Sequence, residues 1–382
     1  MSSPVRALAV TGTRADFGLW EPIMRAAAEK ESGLRVSLLV TAMHLDPRFG
    51  LTAAEVRASG YEIAAEVAST PAGDSRGEMA GAIGAAITGM ITPIERLRPD
   101  WLCLLGDRGE QLAAALVGLH LGLPMAHLHG GERTLGAVDD AIRDMISRVS
   151  HLHLVANRQA ADRLIGIGEA PWRITVTGAP GIDSVAGRDG SADADVRARY
   201  GLPDTGYLVL LEHPETAGGS DPLQVLDATL EGIARSMVPV AVISPNADAG
   251  GRAMLARLTE RQATFLGLWS SLPHDDYLAV LTGAVALIGN SSSGLIEAPA
   301  LGVPAINVGE RQDGRTRGDN VIDVPADPMA IAAAIRRAMS VEFKGSLSRR
   351  SPYGSGDTAQ AVIKALVTTP IDGRLMRKEA PE

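Results

Sequence analysis

Short, nearly uninterrupted apolar runs alternate with longer amphipathic stretches almost from one end of this chain to the other. The runs at residues 6–10, 35–40, 101–105, 124–128 and 173–176 are apolar along most of their length, not at every second position. A strand with one wet face alternates, whereas a strand covered on both faces does not. The stretches at 19–30, 78–97, 109–121 and 139–149 place apolar residues at helical spacing. Repeated strand–helix units predict parallel sheets joined by right-handed crossovers. The pattern breaks at 187–204, which is rich in Gly, Ala, Asp and Arg and holds one predicted charged helix, 194–200. Strands are predicted again at 207–211, 238–243, 264–266, 285–288 and 305–308, with a loop at 351–356 and a last helix over 357–367. With 382 residues, 46% of them hydrophobic, the chain can bury two cores. The expected division is 1–188, 189–356 and a C-terminal helix and tail, 357–382.

A net charge of −9 argues against nucleic acid or an anionic membrane as the main partner. It leaves room for phosphate ligands, because a local basic site can exist in an acidic protein. Cys103 is the single cysteine, so no intramolecular disulfide forms, and a cytoplasmic location is expected. The apolar stretch at 7–10 is too short for a signal peptide or a membrane span.

Ligands of open parallel sheets bind beyond the carboxyl ends of strands, against helix N-termini. Four such junctions carry candidate chemistry. Thr11-Gly12-Thr13-Arg14-Ala15-Asp16-Phe17-Gly18 couples a tight turn to a helix start. It is an anion site or an ordinary capped turn. Gly106-Asp107-Arg108-Gly109-Glu110 ends a buried strand with a charged pair. This is either a surface ion pair or a carboxylate poised for proton transfer, with Arg108 gripping phosphate. His127-Leu128-His129-Gly130-Gly131-Glu132 is followed by Asp139-Asp140-Ala141-Ile142-Arg143-Asp144. Glu132 and Asp139 bring carboxylates to one rim. The His127/His129 spacing also admits a divalent metal, although His151 and His153 repeat it at another strand. Asp140, Arg143 and Asp144 have the spacing of a helical ion-pair set. Gly289-Asn290-Ser291-Ser292-Ser293-Gly294 leads to Glu297 and reads as a diphosphate cradle, or as a plain Ser N-cap. His213-Pro214, Pro245-Asn246-Ala247-Asp248 and the basic run from Arg311 to Arg317 complete the strand ends.

Taken in order, these motifs resemble the UDP-N-acetylglucosamine 2-epimerase family, specifically its hydrolysing branch, over nearly the whole chain. The resemblance implies a GT-B fold: two Rossmann-like, doubly wound parallel-sheet domains with the cleft between them and a C-terminal helix crossing back to the first. It implies nucleotide contacts from Arg14, Arg108, His213, Asn246, Ser291, Ser292, Ser293, Glu297 and Arg311. It implies catalytic roles for Asp107, Glu132, Asp139 and His129 in removing the C2 proton of a UDP- or GDP-linked sugar, expelling the nucleotide and hydrating the glycal. The product would be an N-acetylmannosamine-like sugar for sialic- or legionaminic-type acids. Neither a metal nor another cofactor is implied, and a homodimer is. His129 resembles the bacillosamine-type branch, but that branch's pattern has Glu at Leu135, His at Asp144 and Lys at Arg148. Glu212 also stands where a neutral residue is expected. A non-hydrolysing epimerase, a GT-B relative with other chemistry and a nucleotide-sugar-binding protein without turnover are the competing readings.

Overall fold

A computed structural model describes residues 3–73, 75–135, 137–217 and 221–378. The chain forms two compact units. The first comprises Met1–Glu132, Asp139–Asp183 and Tyr353–Glu382, and the second comprises Arg133–Val138 and Ser184–Pro352. These switch points lie a few residues before 188/189 and 356/357. The short excursion Arg133–Val138 has no compositional signature. Residues 379–382 of the expected tail lie outside the described residues.

The first unit holds seven strands: β1 (Val5–Thr11), β2 (Leu34–Thr41), β3 (Ile63–Val67), β4 (Trp101–Leu105), β5 (Met125–Leu128), β6 (Leu152–Val155) and β7 (Ile174–Val176). All pair in parallel, in the order β3-β2-β1-β4-β5-β6-β7. The two crossover directions diverge between β1 and β4, which makes a switch point there. Trp20, Ile23, Leu38, Trp101, Val362 and Leu366 share one buried cluster, while Leu39, Leu104, Met90 and Ala114 share another. The helix Thr358–Thr368 thus completes the first core. Asp183 accepts from the backbone N–H of Thr358 and Ala359, at 3.0 and 2.7 Å, satisfying orphan donors at its start. The Trp101 indole donates to the Leu366 carbonyl at 3.0 Å.

The second unit holds β8 (Tyr207–Leu211), β9 (Val240–Ile243), β10 (Gly267–Trp269), β11 (Ala284–Gly289), β12 (Ala305–Val308) and β13 (Val321–Val324). Their order is β10-β9-β8-β11-β12-β13, again parallel, with the switch point between β8 and β11. The strand expected at 264–266 lies at Gly267–Trp269, because residues Gln262–Thr264 close a 3-10 turn first.

Candidate functional site

Chemistry-bearing side chains collect at the carboxyl end of each sheet. In the first unit, Thr13 caps the helix Arg14–Ala27 by accepting from Asp16 N at 3.1 Å. The Asp16 carboxylate turns back and accepts from Gly12 N at 3.0 Å. Gly12 leaves room for the Glu110 carboxylate, which a Cβ there would displace. Glu110 in turn accepts from Arg108 Nε at 2.9 Å. Burial, with Glu110 adding to it, raises Asp16 to about 6. Gln111 bridges the two strand ends: its Oε1 accepts from Leu105 N and its Nε2 donates to Val10 O, both at 3.1 Å. Arg14 pairs with Glu55, so its guanidinium is already engaged.

Asp107 follows β4 and pairs with Arg143, whose side chain is 1% exposed on the helix Asp139–Val149. His127 is a packed strand histidine. Its Nε2 donates to Gly106 O at 2.7 Å, its Nδ1 accepts from Ser147 Oγ at 3.0 Å, and burial lowers it to about 3. Both ring nitrogens are committed, so the H-x-H spacing is not a ligand pair. His129 differs. It adopts φ +60° and makes a 2.5 Å hydrogen bond from Nδ1 to Glu132. Its Nε2 is buried with no partner among the described residues. Gly131 (φ +76°) permits this turn, since a Cβ there would meet Ala160 O at 2.3 Å. Arg163 holds the turn from below, donating to Glu132 O at 2.8 Å and to Asp144 at 2.7 Å. Asp139 lies in the first turn of its helix.

In the second unit, Asn290 is the central clamp. Its Oδ1 accepts from His213 N at 2.7 Å and its Nδ2 donates to His213 O at 2.9 Å. Its own carbonyl accepts from Arg311 at 3.2 Å and from Gln312 at 2.7 Å. His213 Nδ1 accepts from Asn246 N at 3.1 Å, which places the ring proton on Nε2. Glu215 Oε1 accepts from the backbone N–H of Glu310 and Arg311, at 3.1 and 3.2 Å. Ser291 accepts from Ser293 N at 3.3 Å, and Tyr277 donates to Ser293 Oγ at 2.6 Å. The serines form a 3-10 turn, Ser292–Gly294, and the helix beginning at buried Glu297 runs only to Leu301. A helix this short has a small dipole, so it adds little to anion binding at the cradle. Gly289 has φ +126°, and a Cβ there would lie 2.2 Å from Leu211 O. Gly289→Ala is expected to cost about 2 kcal/mol or more, read by urea denaturation. An unchanged midpoint would show that the loop has another way to relax.

Asp16, Glu110, Gln111, Arg143, Arg163, Glu215 and Gln312 are contributors that sequence reasoning did not single out as site residues. The partners of Gln111, Arg143, Arg163, Glu215 and Gln312 include residues distant in sequence, whereas Asp16 and Glu110 bond to near neighbours, and only the strand-end position of some was readable.

The profile of the UDP-N-acetylglucosamine 2-epimerase family matches residues 26–367. The chain belongs to this family. It is 34% identical to a Legionella pneumophila protein named UDP-N,N'-diacetylbacillosamine 2-epimerase (hydrolyzing), over 97% of each chain. It is also 34% identical to the UDP-N-acetylglucosamine 2-epimerase of Neisseria meningitidis, over 92% of each. A crystal structure of a Neisseria meningitidis UDP-GlcNAc 2-epimerase, bound to UDP-GlcNAc, superimposes with TM-score 0.80 at 16% identity, covering 96% of this chain and all (100%) of that one. The fold class is the expected one, two Rossmann-like parallel-sheet units of GT-B type, and the protein is an enzyme of the UDP-N-acetylglucosamine 2-epimerase type. Within this family member the residues that leave the branch pattern have defined places. Asp144 ties down Arg163. Arg148 reaches Glu169 at 3.4 Å. Leu135 is 48% exposed.

Proposed function

We propose that the protein is a hydrolysing nucleotide-sugar 2-epimerase. It eliminates UDP, or another nucleoside diphosphate such as GDP, from a UDP-N-acetylglucosamine-like sugar and adds water to give the free C2 epimer. The observation that carries this reading is 34% identity over 97% of both chains with a relative named as hydrolyzing.

In this reading Arg14, Arg108, His213, Asn246, Ser291, Ser292, Ser293, Glu297 and Arg311 contact the nucleotide diphosphate. The support is their strand-end placement and the fixed Nε2–H of His213, a donor suited to phosphate oxygen. The C2 proton of such a sugar is weakly acidic, so a base alone is insufficient. Cleavage of C1–O that runs ahead of proton loss builds oxocarbenium character, and cationic donors stabilise the departing diphosphate. The C1–O electron pair leaves with the nucleotide, the C2–H pair becomes the glycal double bond, and the proton passes to a protein base. Water then adds its oxygen to C1 while C2 is reprotonated on the opposite face.

Asp107, Glu132, Asp139 and His129 are the groups assigned to these proton movements. The His129–Glu132 hydrogen bond supports a defined role: Nδ1–H points at the carboxylate, leaving the Nε2 lone pair as base or acceptor. Asp144 and Leu135 change the neighbouring charge inventory and thereby the sugar accepted. The product class serves sialic- or legionaminic-type acid synthesis, in the cytoplasm. Among the described residues no helix is long and apolar enough to cross a membrane.

The test is incubation with a panel of UDP- and GDP-sugars in deuterated water, followed by NMR. Free C2 epimer carrying deuterium at C2 is expected. Epimer still bound to nucleotide would replace this reading with the non-hydrolysing one, and nucleotide binding without turnover on any sugar would overturn it.

The working unit in this reading is a homodimer. The helix Arg76–Leu97 carries no charged residue between Glu78 and Glu95, its Ile91 is 42% exposed, and Cβ atoms at Gly77, Gly81 and Gly84 would meet nothing. An unpaired apolar face of this length favours association. Ala85→Glu is expected to shift the sedimentation coefficient to that of a monomer. A variant that still sediments with the parent would place the interface elsewhere.

A further inference from the structure

We propose a second anion-binding site in the first unit, at the opposite end of the sheet from the reacting residues, which takes a phosphate-bearing small molecule of nucleotide size. A cavity of about 660 Å³ is lined by Glu169, Trp172, Arg173, Arg374, Arg377 and Lys378, among others. It lies where the chain enters β7, whereas Asp107 and His129 follow the carboxyl ends of β4 and β5.

Cations dominate this cavity. Four cationic side chains line it against the single carboxylate Glu169, on a chain whose net charge is −9. The Glu169 carboxylate is fully occupied: it accepts from His153 at 3.1 Å, from Lys378 at 2.7 Å and from Arg148 at 3.4 Å. Lys378 also donates to the carbonyls of Ser147, Arg148 and Ser150, at 3.1, 2.9 and 2.6 Å. Arg173 is 3% exposed and spends its guanidinium on four carbonyls, those of His151, Arg374, Leu375 and Arg377. These two residues build the wall, with Lys378 spent on Glu169 and three carbonyls and both Arg173 Nη nitrogens on carbonyls.

Arg374 and Arg377 are different. Among the described residues neither guanidinium has a carboxylate or carbonyl partner. Arg374 instead stacks on the Trp172 ring at 4.3 Å, as does Arg173. Trp172 is 42% exposed, so a layered, planar cationic platform stands open to a ligand. Two forked donors beside a fixed positive wall match the geometry of a phosphate, and the volume suits a nucleotide-sized molecule. The positive potential is felt by His151, which is lowered to about 4 by burial and then by Lys378 and Arg173. A ligand here makes no use of the switch-point residues, so the site fills independently of the reaction site.

The experiment is a titration of the full chain with ADP and with inorganic pyrophosphate, in the presence of saturating UDP to hold the reaction site. The readout is quenching of intrinsic fluorescence, with Trp172→Phe identifying the reporting indole. Saturable quenching is expected in the parent. It should disappear in Trp172→Phe and weaken about tenfold or more in the double variant Arg374→Ala/Arg377→Ala. Turnover of that double variant without added ADP should equal the parent's, which separates loss of this site from loss of the fold. Quenching by ADP and not by pyrophosphate assigns part of the contact to the base, and quenching by both assigns it to phosphate alone. Equal quenching in the parent and the double variant, or no quenching in the parent, would overturn the site. Because the binding readout is Trp172, failure of the epimerase reading removes only the turnover control, and the circular dichroism spectrum of the double variant then shows that it is folded.

Discussion

Asp107→Asn is expected to lower kcat by about 10²–10⁴-fold while UDP affinity changes by no more than about threefold. Asp107 stands two residues beyond β4 at the switch point, half-buried, with a charge-assisted partner in Arg143. The amide keeps an oxygen for the Arg143 guanidinium and loses the ability to take up or release a proton. Binding of the nucleotide is assigned to other residues, so it should survive. Arg143 itself is almost wholly buried, and depriving a buried cation of its charge partner costs about 3–5 kcal/mol. The variant should therefore also melt earlier, and turnover must be compared at a temperature where circular dichroism shows it folded. A variant that is folded, turns over normally and binds UDP would remove Asp107 from the chemistry. Loss of UDP binding would move it to the nucleotide.

Glu212→Gln is expected to make the protein about 3 kcal/mol more stable at pH 8 and to leave it nearly unchanged at pH 4. Glu212 directly follows β8 and is 3% exposed. Burial, offset in part by Thr229 and reinforced by the charge of Glu215, raises its carboxyl from 4.5 to about 7. In the unfolded chain the group loses its proton near 4.5, whereas in the folded chain it keeps it to about 7. Across that window the folded state binds the extra proton, so stability falls as pH rises. Glutamine is neutral throughout and abolishes the fall. Urea denaturation of both proteins at pH 4 and pH 8 reads the difference directly. Parallel pH profiles would show that Glu212 is ionised at no cost, against its burial.

These variants also show which parts of the molecule were legible. β4, β8 and β12 are readable to the residue, because strands in the middle of a parallel sheet are covered on both faces and show as continuous apolar runs. β3 and β13 were not expected, since edge strands are partly exposed and carry mixed residues, as in Ile-Ala-Ala-Glu-Val and Val-Ile-Asp-Val. At the strand ends, glycines and charged residues just past buried runs marked the candidate loops. What holds those loops was invisible. Arg143 meets Asp107 across 36 positions, and Glu215 meets Arg311 across 96. Pairings of that span leave no mark on local periodicity. The same limit explains Arg14. Its place at a helix start was readable, and its engagement by Glu55 was not.

The return of the chain to its first unit has a consequence for how the protein is made. The helix Thr358–Thr368 supplies Val362, Ile363 and Leu366 to the core around Trp20 and Trp101, and Asp183 waits for its first two amides. A ribosome releases residues from the N-terminus onwards, so this unit spends nearly the whole of synthesis with one wall of its interior missing. The second unit, nearly contiguous from Ser184 to Pro352, can close before it. The order of completion is thus the reverse of the order of emergence. A stop codon a few dozen residues early would release a chain whose later half is whole and whose earlier half never becomes so.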